Sequence, residues 1–298
     1  MLRIKGIILL FVIPWLTFSQ QKTPFSYYDF KNDSNYKKEL KRLKNYTNLE
    51  SEGAIKSIAE LSYDYKDWET AIDYYEILLV DSPTAENYFK LGVAAARKSL
   101  EVPRFLSVPY VIKARKSVLQ AHELAPKRVV VLNLLIQLYA EIPSLLGGSI
   151  DFAEKKANEL RDIDSLEGGM MEAYVFQVRN DFKASASKYS EVFQSLKEIY
   201  PDPENCVTEL RRNLIFDLGR VSAQYQVEPD LGLFLLDHYL KSYAFEDNYP
   251  LEWAYYYRSK IYLYRKEYEM AEASIQKALE IDSNFEEGLE FLKNLRLE

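Results

Sequence analysis

Between residues 58 and 83 the chain reads IAELSYDYKDWETAIDYYEILLVDSP, with apolar side chains returning every three or four positions on both sides of a short polar turn. That period belongs to amphipathic helices, so the stretch predicts two helices folded back on each other. Residues 260–283, KIYLYRKEYEMAEASIQKALEIDS, repeat the pattern near the other end. Glycine and proline are few, 10 and 11 in 298 residues, which favours helix over strand-and-turn architecture. The fold class expected is all-α.

Two stretches interrupt the periodicity. In residues 101–110, EVPRFLSVPY, Pro103 and Pro109 are expected to block continuous helix, because each removes an amide donor and clashes with the preceding turn. In residues 140–157, AEIPSLLGGSIDFAEKKA, Pro143 ends one helix, Gly147-Gly148 supplies backbone freedom, and Ser149 or Asp151 caps the next. A phosphate-binding loop would need a preceding strand and a following Gly-Lys-Ser/Thr, and the pattern offers neither. The glycine pair reads as a turn.

The paired helices at 58–83 and 260–283 resemble the tetratricopeptide (TPR) repeat, a 34-residue unit whose two helices cross at small residues. Ala59, Gly92, Ala173, Gly219 and Ser259 fill that place in the first helices, and Ala71, Ala114, Ala153, Ser185, Gly232 and Ala271 in the second. Units fall at 52–85, 86–127, 128–165, 166–201, 204–245 and 251–284. Departures are Ile136 at the small position of the third unit and Arg258 at a usually apolar one; the third small position holds alanine only at Ala121 and Ala278, against Leu78, Leu160, Val192 and Tyr239. Residues 104–126, 142–160, 218–240 and 256–282 together look like a family of exported bacterial TPR proteins. That family carries, in order, a Pro-x-x-x-Gly-Gly turn, a Leu-Gly-Arg helix start and a Tyr-Arg-x-x-x-Tyr helix start. The resemblance implies a right-handed superhelical solenoid of about six antiparallel helix pairs, used for protein interaction, with no catalytic residues to carry over.

The flanks read as end caps, which a solenoid needs to cover its terminal apolar faces. Residues 33–46 put Tyr36, Leu40, Leu43 and Tyr46 on one helical face and Lys37, Lys38, Lys41, Arg42 and Lys44 largely on the other; residues 285–295 offer Leu289, Phe291, Leu292 and Leu295 to close the last groove. The basic face is either a solvated cap or a docking site for an acidic partner or lipid surface. Before it, MLRIKGIILLFVIPWLTFS sets Arg3 and Lys5 ahead of a short apolar run, with Thr17 and Ser19 before the expected cleavage point. This is the layout of a secretory signal, too short and proline-broken to span a bilayer. The domains expected are a signal peptide at 1–19, an N-terminal segment with capping helix at 20–50, the repeats at 51–284 and a C-terminal cap at 285–298. Export, to the periplasm or beyond, follows from the first of these.

Charge and chemistry narrow the function. The net charge is −7, and loss of Arg3 and Lys5 takes it to −9, which disfavours nucleic acid and anionic membranes as partners. Cys206 is the only cysteine, so neither an internal disulfide nor a cysteine metal cage is available; it reads as a small buried hydrophobe. His122 and His238, the only histidines, lie on second helices without a metal-binding or nucleophilic partner in spacing, and pairs such as Glu286-Glu287 read as solvated. No enzyme, cofactor or metal is expected. Asn32-Asp33-Ser34 and Asn45-Tyr46-Thr47 match the glycosylation sequon, a triplet that also arises by chance.

Binding remains. The 24 tyrosines exceed what the repeat's packing positions use, and tyrosine is favoured at interfaces. On first helices Tyr88, Tyr256 and Lys260 are the candidate contacts for a protein or peptide in the concave groove. A carboxylate clamp of the chaperone-binding kind does not fit, because Glu60 stands where the clamp asparagine belongs beside Lys56 and Lys90. The two inserts should lie along one edge of the stack, where Phe105, Leu106, Val108, Tyr110, Ile142, Leu145 and Leu146 either form a recognition surface or fold back into the core. The alternative to a protein-binding scaffold is a small ligand or envelope polymer held in the groove.

Overall fold

A computed structural model describes residues 31–46, 52–244 and 247–296; the signal-like stretch lies outside them. The described residues are helical throughout, without strands. A lone helix α1 (Ser34–Tyr46) precedes six helix pairs: α2 (Glu52–Asp64) with α3 (Trp68–Asp81), α4 (Ala85–Glu101) with α5 (Arg104–Leu124), and α6 (Val129–Glu141) with α7 (Ile150–Ile163). The series continues with α8 (Ser165–Val178) and α9 (Phe182–Ile199), then a short α10 (Pro203–Glu209) ahead of α11 (Arg212–Tyr225) and α12 (Pro229–Lys241). Next come α13 (Leu251–Tyr264) and α14 (Tyr268–Ile281), and α15 (Glu286–Leu295) closes the stack. Apart from α10, which packs on α12, each helix packs chiefly on its sequence neighbour, with first helices also touching across units, α6 on α8 and α11 on α13. This is the quasi-one-dimensional packing of a solenoid.

Local signals set the ends of the helices. Asp67, Thr84, Ser149 and Asp181 each accept an amide of the first turn as N-cap, and Asp164 accepts two. Ser149, rather than Asp151, caps α7. The turns inside the first, fourth and sixth units repeat one geometry, with Lys66, Asn180 and Lys266 at φ near +61° just before the capping position. The crossing residues Ala59, Ala71, Ala114, Ala153, Ala173, Ser185, Ser259 and Ala271 are wholly excluded from solvent. A Cβ on Gly92 would come within 2.4 Å of Val118 Cγ2, so the second unit's helices approach too closely for a larger residue.

Three sequence expectations need correction. Pro109 does not break the chain: α5 runs through it, because the one amide it lacks lies at the exposed start of the helix. The first insert is therefore a projecting extension of α4 and α5 instead of a loop. The Leu218-Gly219-Arg220 and Tyr257-Arg258 motifs fall in mid-helix, where the small residue meets the partner helix, and not at helix starts. At the C-terminal cap Leu289 points to solvent, while Phe285, which caps the helix N-terminus, is fully buried.

The second insert is a turn. Ser144–Leu146 form one 3-10 turn, Gly147 takes φ +91°, and a Cβ on Gly148 would fall 1.6 Å from the Ile142 carbonyl oxygen. Both glycines are needed for the chain to close on itself. At the other departure, Arg258 donates to Asp237 Oδ1 at 2.7 Å and to Ser274 Oγ at 3.1 Å, tying α13 to both neighbouring second helices.

Candidate functional site

The first helices α2, α4, α6, α8, α11 and α13 share one face. Stacked straight, with neighbours about 8–10 Å apart, this face would separate the second unit from the sixth by several helix widths. Yet Arg97 on α4 lies within electrostatic range of Tyr249, just ahead of α13, and of Tyr63 on α2 and Glu141 on α6. The face is therefore concave, and its far ends turn toward each other.

At the centre of the groove, charges and tyrosines form a connected set. Tyr174 on α8 donates to Glu141 Oε1. Arg220 on α11 donates to Asp217 Oδ1 at 3.1 Å, and the Tyr249 hydroxyl donates to Asp217 Oδ2 at 3.3 Å. Tyr249 stacks on Phe216 with ring centroids 4.1 Å apart and planes at 10°. Burial raises the Glu141 carboxyl above its ordinary value although the side chain reaches solvent, as expected for a wet group ringed by protein, while Tyr174 and Arg97 oppose the rise. Burial works against the charge of Arg220, and Asp217 outweighs it.

Toward the N-terminal end, Lys90 reaches Glu60 at 3.5 Å and Glu86 at 3.7 Å, and Arg128 also pairs with Glu86. These pairs occupy Lys90 locally. In mid-groove the buried Glu167 accepts from Asn133 Nδ2 at 2.8 Å and from Arg211. A loop held by the Arg212 and Asp247 ion pair, 2.5 Å, carries Tyr249 into the groove.

The residues singled out from sequence fall in three places. Tyr88 is half-buried against the larger core and serves packing. Tyr256 and Lys260 come together: Lys260 Nζ stands 5.6 Å from the Tyr256 ring centroid, and both line a cleft of about 300 Å³ closed by α15. Phe105 and Leu106 lie at the start of α5, 79% and 50% exposed, and Leu145 in the 3-10 turn is 92% exposed, whereas Leu146 is half-buried. Phe105 and Leu145 are thus not core residues. The turn meets α5 at Arg115, against which Gly147 rests, about 15 Å along the helix from Phe105.

Sequence reasoning missed Arg97, Glu141, Tyr174, Asp217, Arg220 and Tyr249. A signal existed for part of the set, since Glu60, Gln137, Tyr174, Arg220 and Lys260 each follow a crossing residue directly and so form one row along the groove. Among the other candidates, His122 is buried and its Nε2 faces Lys156 Nζ at 3.0 Å; burial and that ammonium lower its pKa. Burial pushes the Cys206 thiol up to about 11, leaving it an unreactive core group. No helix among the described residues is long and apolar enough to cross a membrane.

A tetratricopeptide repeat protein from Parabacteroides merdae superposes over 91% of this chain and 96% of its own, with a TM-score of 0.53 at 15% identity. The APC/C hetero-tetramer Cut9-Hcn1 matches over 87% of this chain and 46% of the other, with a TM-score of 0.56 at 12% identity. The fold is a TPR solenoid. No protein-family model and no curated protein sequence matches the chain.

Proposed function

We propose that this chain is an exported, non-catalytic TPR scaffold that binds a protein or peptide partner along its first-helix groove. The observation that carries the reading is the curvature that brings Arg97 of the second unit toward Tyr249 at the threshold of the sixth. Around them stand tyrosines, and carboxylates already paired with a tyrosine or an arginine. Such a lining offers large contact area at low ordering cost, together with hydrogen-bond donors and acceptors for an extended chain. The exposed apolar tips at Phe105, Leu106 and Leu145 add a second contact along the edge.

Two experiments test the reading. The mature protein should begin near Gln20 after export, and N-terminal sequencing that found Met1 or Leu2 would contradict it. Gln137, half-buried in the central row, is the place to obstruct the groove. Gln137→Trp should abolish capture of the partner while the melting temperature holds; undiminished capture would argue against the groove.

A further inference from the structure

We infer that the cleft between α13 and α15 takes a peptide segment that carries an ammonium and a carboxylate side by side, an inference that rests on the first-helix face being the binding face. One wall holds Tyr256 and Lys260, and the other Glu287, Glu290, Phe291 and Asn294. Its roughly 300 Å³ suits two side chains rather than a folded element.

The charges here differ from those in the rest of the groove. Lys90, Arg128, Arg211 and Arg220 all have carboxylate partners. Lys260 has neither an ion pair nor a hydrogen bond among the described residues, although it is half-buried and its ammonium is lowered from the ordinary value by that burial. Across the cleft, Glu287 Oε2 is buried without a hydrogen-bond partner, and neither Glu287 nor Glu290 joins an ion pair among the described residues. Aromatic packing joins the two walls beside these charges: Tyr256 meets Phe285 at 5.6 Å and Phe291 at 5.8 Å between ring centroids. Lys260 and the glutamates thus face one cleft without pairing, and a guest bearing both charges would pair with each wall.

Charge complementarity selects the guest. A purely acidic segment would gain at Lys260 and be repelled by two glutamates; a purely basic one would meet the reverse. A segment bearing both charges satisfies both walls, its carboxylate on Lys260 and its ammonium on Glu287 and Glu290. The aliphatic stem of the basic side chain would lie on the Tyr256 and Phe291 rings. Asn294 is placed to hold the backbone of such a segment.

The test uses acetyl-Lys-Glu-amide as probe, titrated calorimetrically into the mature protein beside acetyl-Lys-Gln-amide and acetyl-Leu-Glu-amide. Free glycylglycine serves as a small zwitterion. The doubly charged blocked probe should bind, with each singly charged probe weaker by at least about tenfold. Lys260→Met, which keeps the packing stem, and Glu287→Gln should each cost a similar factor without shifting the melting temperature, while Lys260→Arg should retain binding. Equal binding of the three blocked probes, no binding by any, or unchanged affinity in Lys260→Met would overturn the assignment. Glycylglycine binding that alone depends on Lys260 and Glu287 would overturn the peptide segment as the guest and assign the cleft to a free zwitterion. Failure of the probes with the partner still lost in Gln137→Trp would refute this cleft and leave the groove intact.

Discussion

The Tyr36 hydroxyl donates to Asp67 Oδ2 at 2.6 Å, while the other oxygen of the same carboxylate accepts the Thr70 amide at 3.2 Å. One side chain thus caps α3 and fastens α1 to the end of the stack. Burial and Asp67 both hold the Tyr36 phenol protonated, so the donor persists across physiological pH. Tyr36→Phe should cost about 1–2 kcal/mol, felt locally, because terminal elements of a linear array open on their own. Hydrogen exchange should speed up within residues 34–46 and hold steady from α4 onward. Unchanged exchange in α1 would contradict its role as a cap.

A second prediction concerns pH. Glu252 is 4% exposed, its Oε2 lacks a partner, and burial first and then Asp282 push its carboxyl up to about 7. Its folded pKa exceeds the unfolded one, so the stability it contributes is present below the ordinary carboxylate range and is lost as pH rises through about 7. The full span is on the order of 3 kcal/mol. Chemical denaturation at pH 5 and pH 8 should show wild type losing more stability than Glu252→Gln over that interval. Parallel losses would mean that Glu252 ionises normally.

The crossing residues give a test of repeat register. Ala71 and Ala271 have no exposed surface, and a leucine at either would overpack its helix pair. Ala71→Leu and Ala271→Leu should each cost about 1–3 kcal/mol. Wild-type melting in both would contradict the alignment of units.

At the rim, Phe105→Ser and Leu145→Ser should change stability by less than about 0.5 kcal/mol each, since both side chains lie in solvent. Partner capture by the double variant should nonetheless fall in a pull-down with the purified partner. A variant that loses several kcal/mol yet still captures would return these residues to the core.

The helix pairs were legible in the sequence because packing imposes them: a crossing helix demands a small residue, and Ala59, Ala71, Ala173 and Ala271 stand where that demand falls. Turn chemistry was equally local, as the cap at Ser149 and the Gly147-Gly148 closure show. Pro109 misled because the rule against helical proline presumes a buried interior turn, and α5 places it near an exposed end. The groove was hidden for another reason. Arg97 and Tyr249 are far apart in sequence and come within electrostatic range only through curvature accumulated over several units, which no local pattern encodes. Tyr256 and Lys260 were read as groove-facing because both occupy first-helix positions of a well-matched unit, but the wall opposite them belongs to a cap whose packing the sequence misassigned at Leu289.

The central claim is that the partner lies on the first-helix face. Photocrosslinking residues placed singly at Gln137, Tyr174 and Lys260 on that face, and at Val80 and Lys277 on exposed positions of second helices, test it most directly in the cells that make the protein. One and the same partner should crosslink from the three groove positions and from neither second-helix position. Crosslinks to that partner from Val80 or Lys277, with the groove positions silent, would contradict the account.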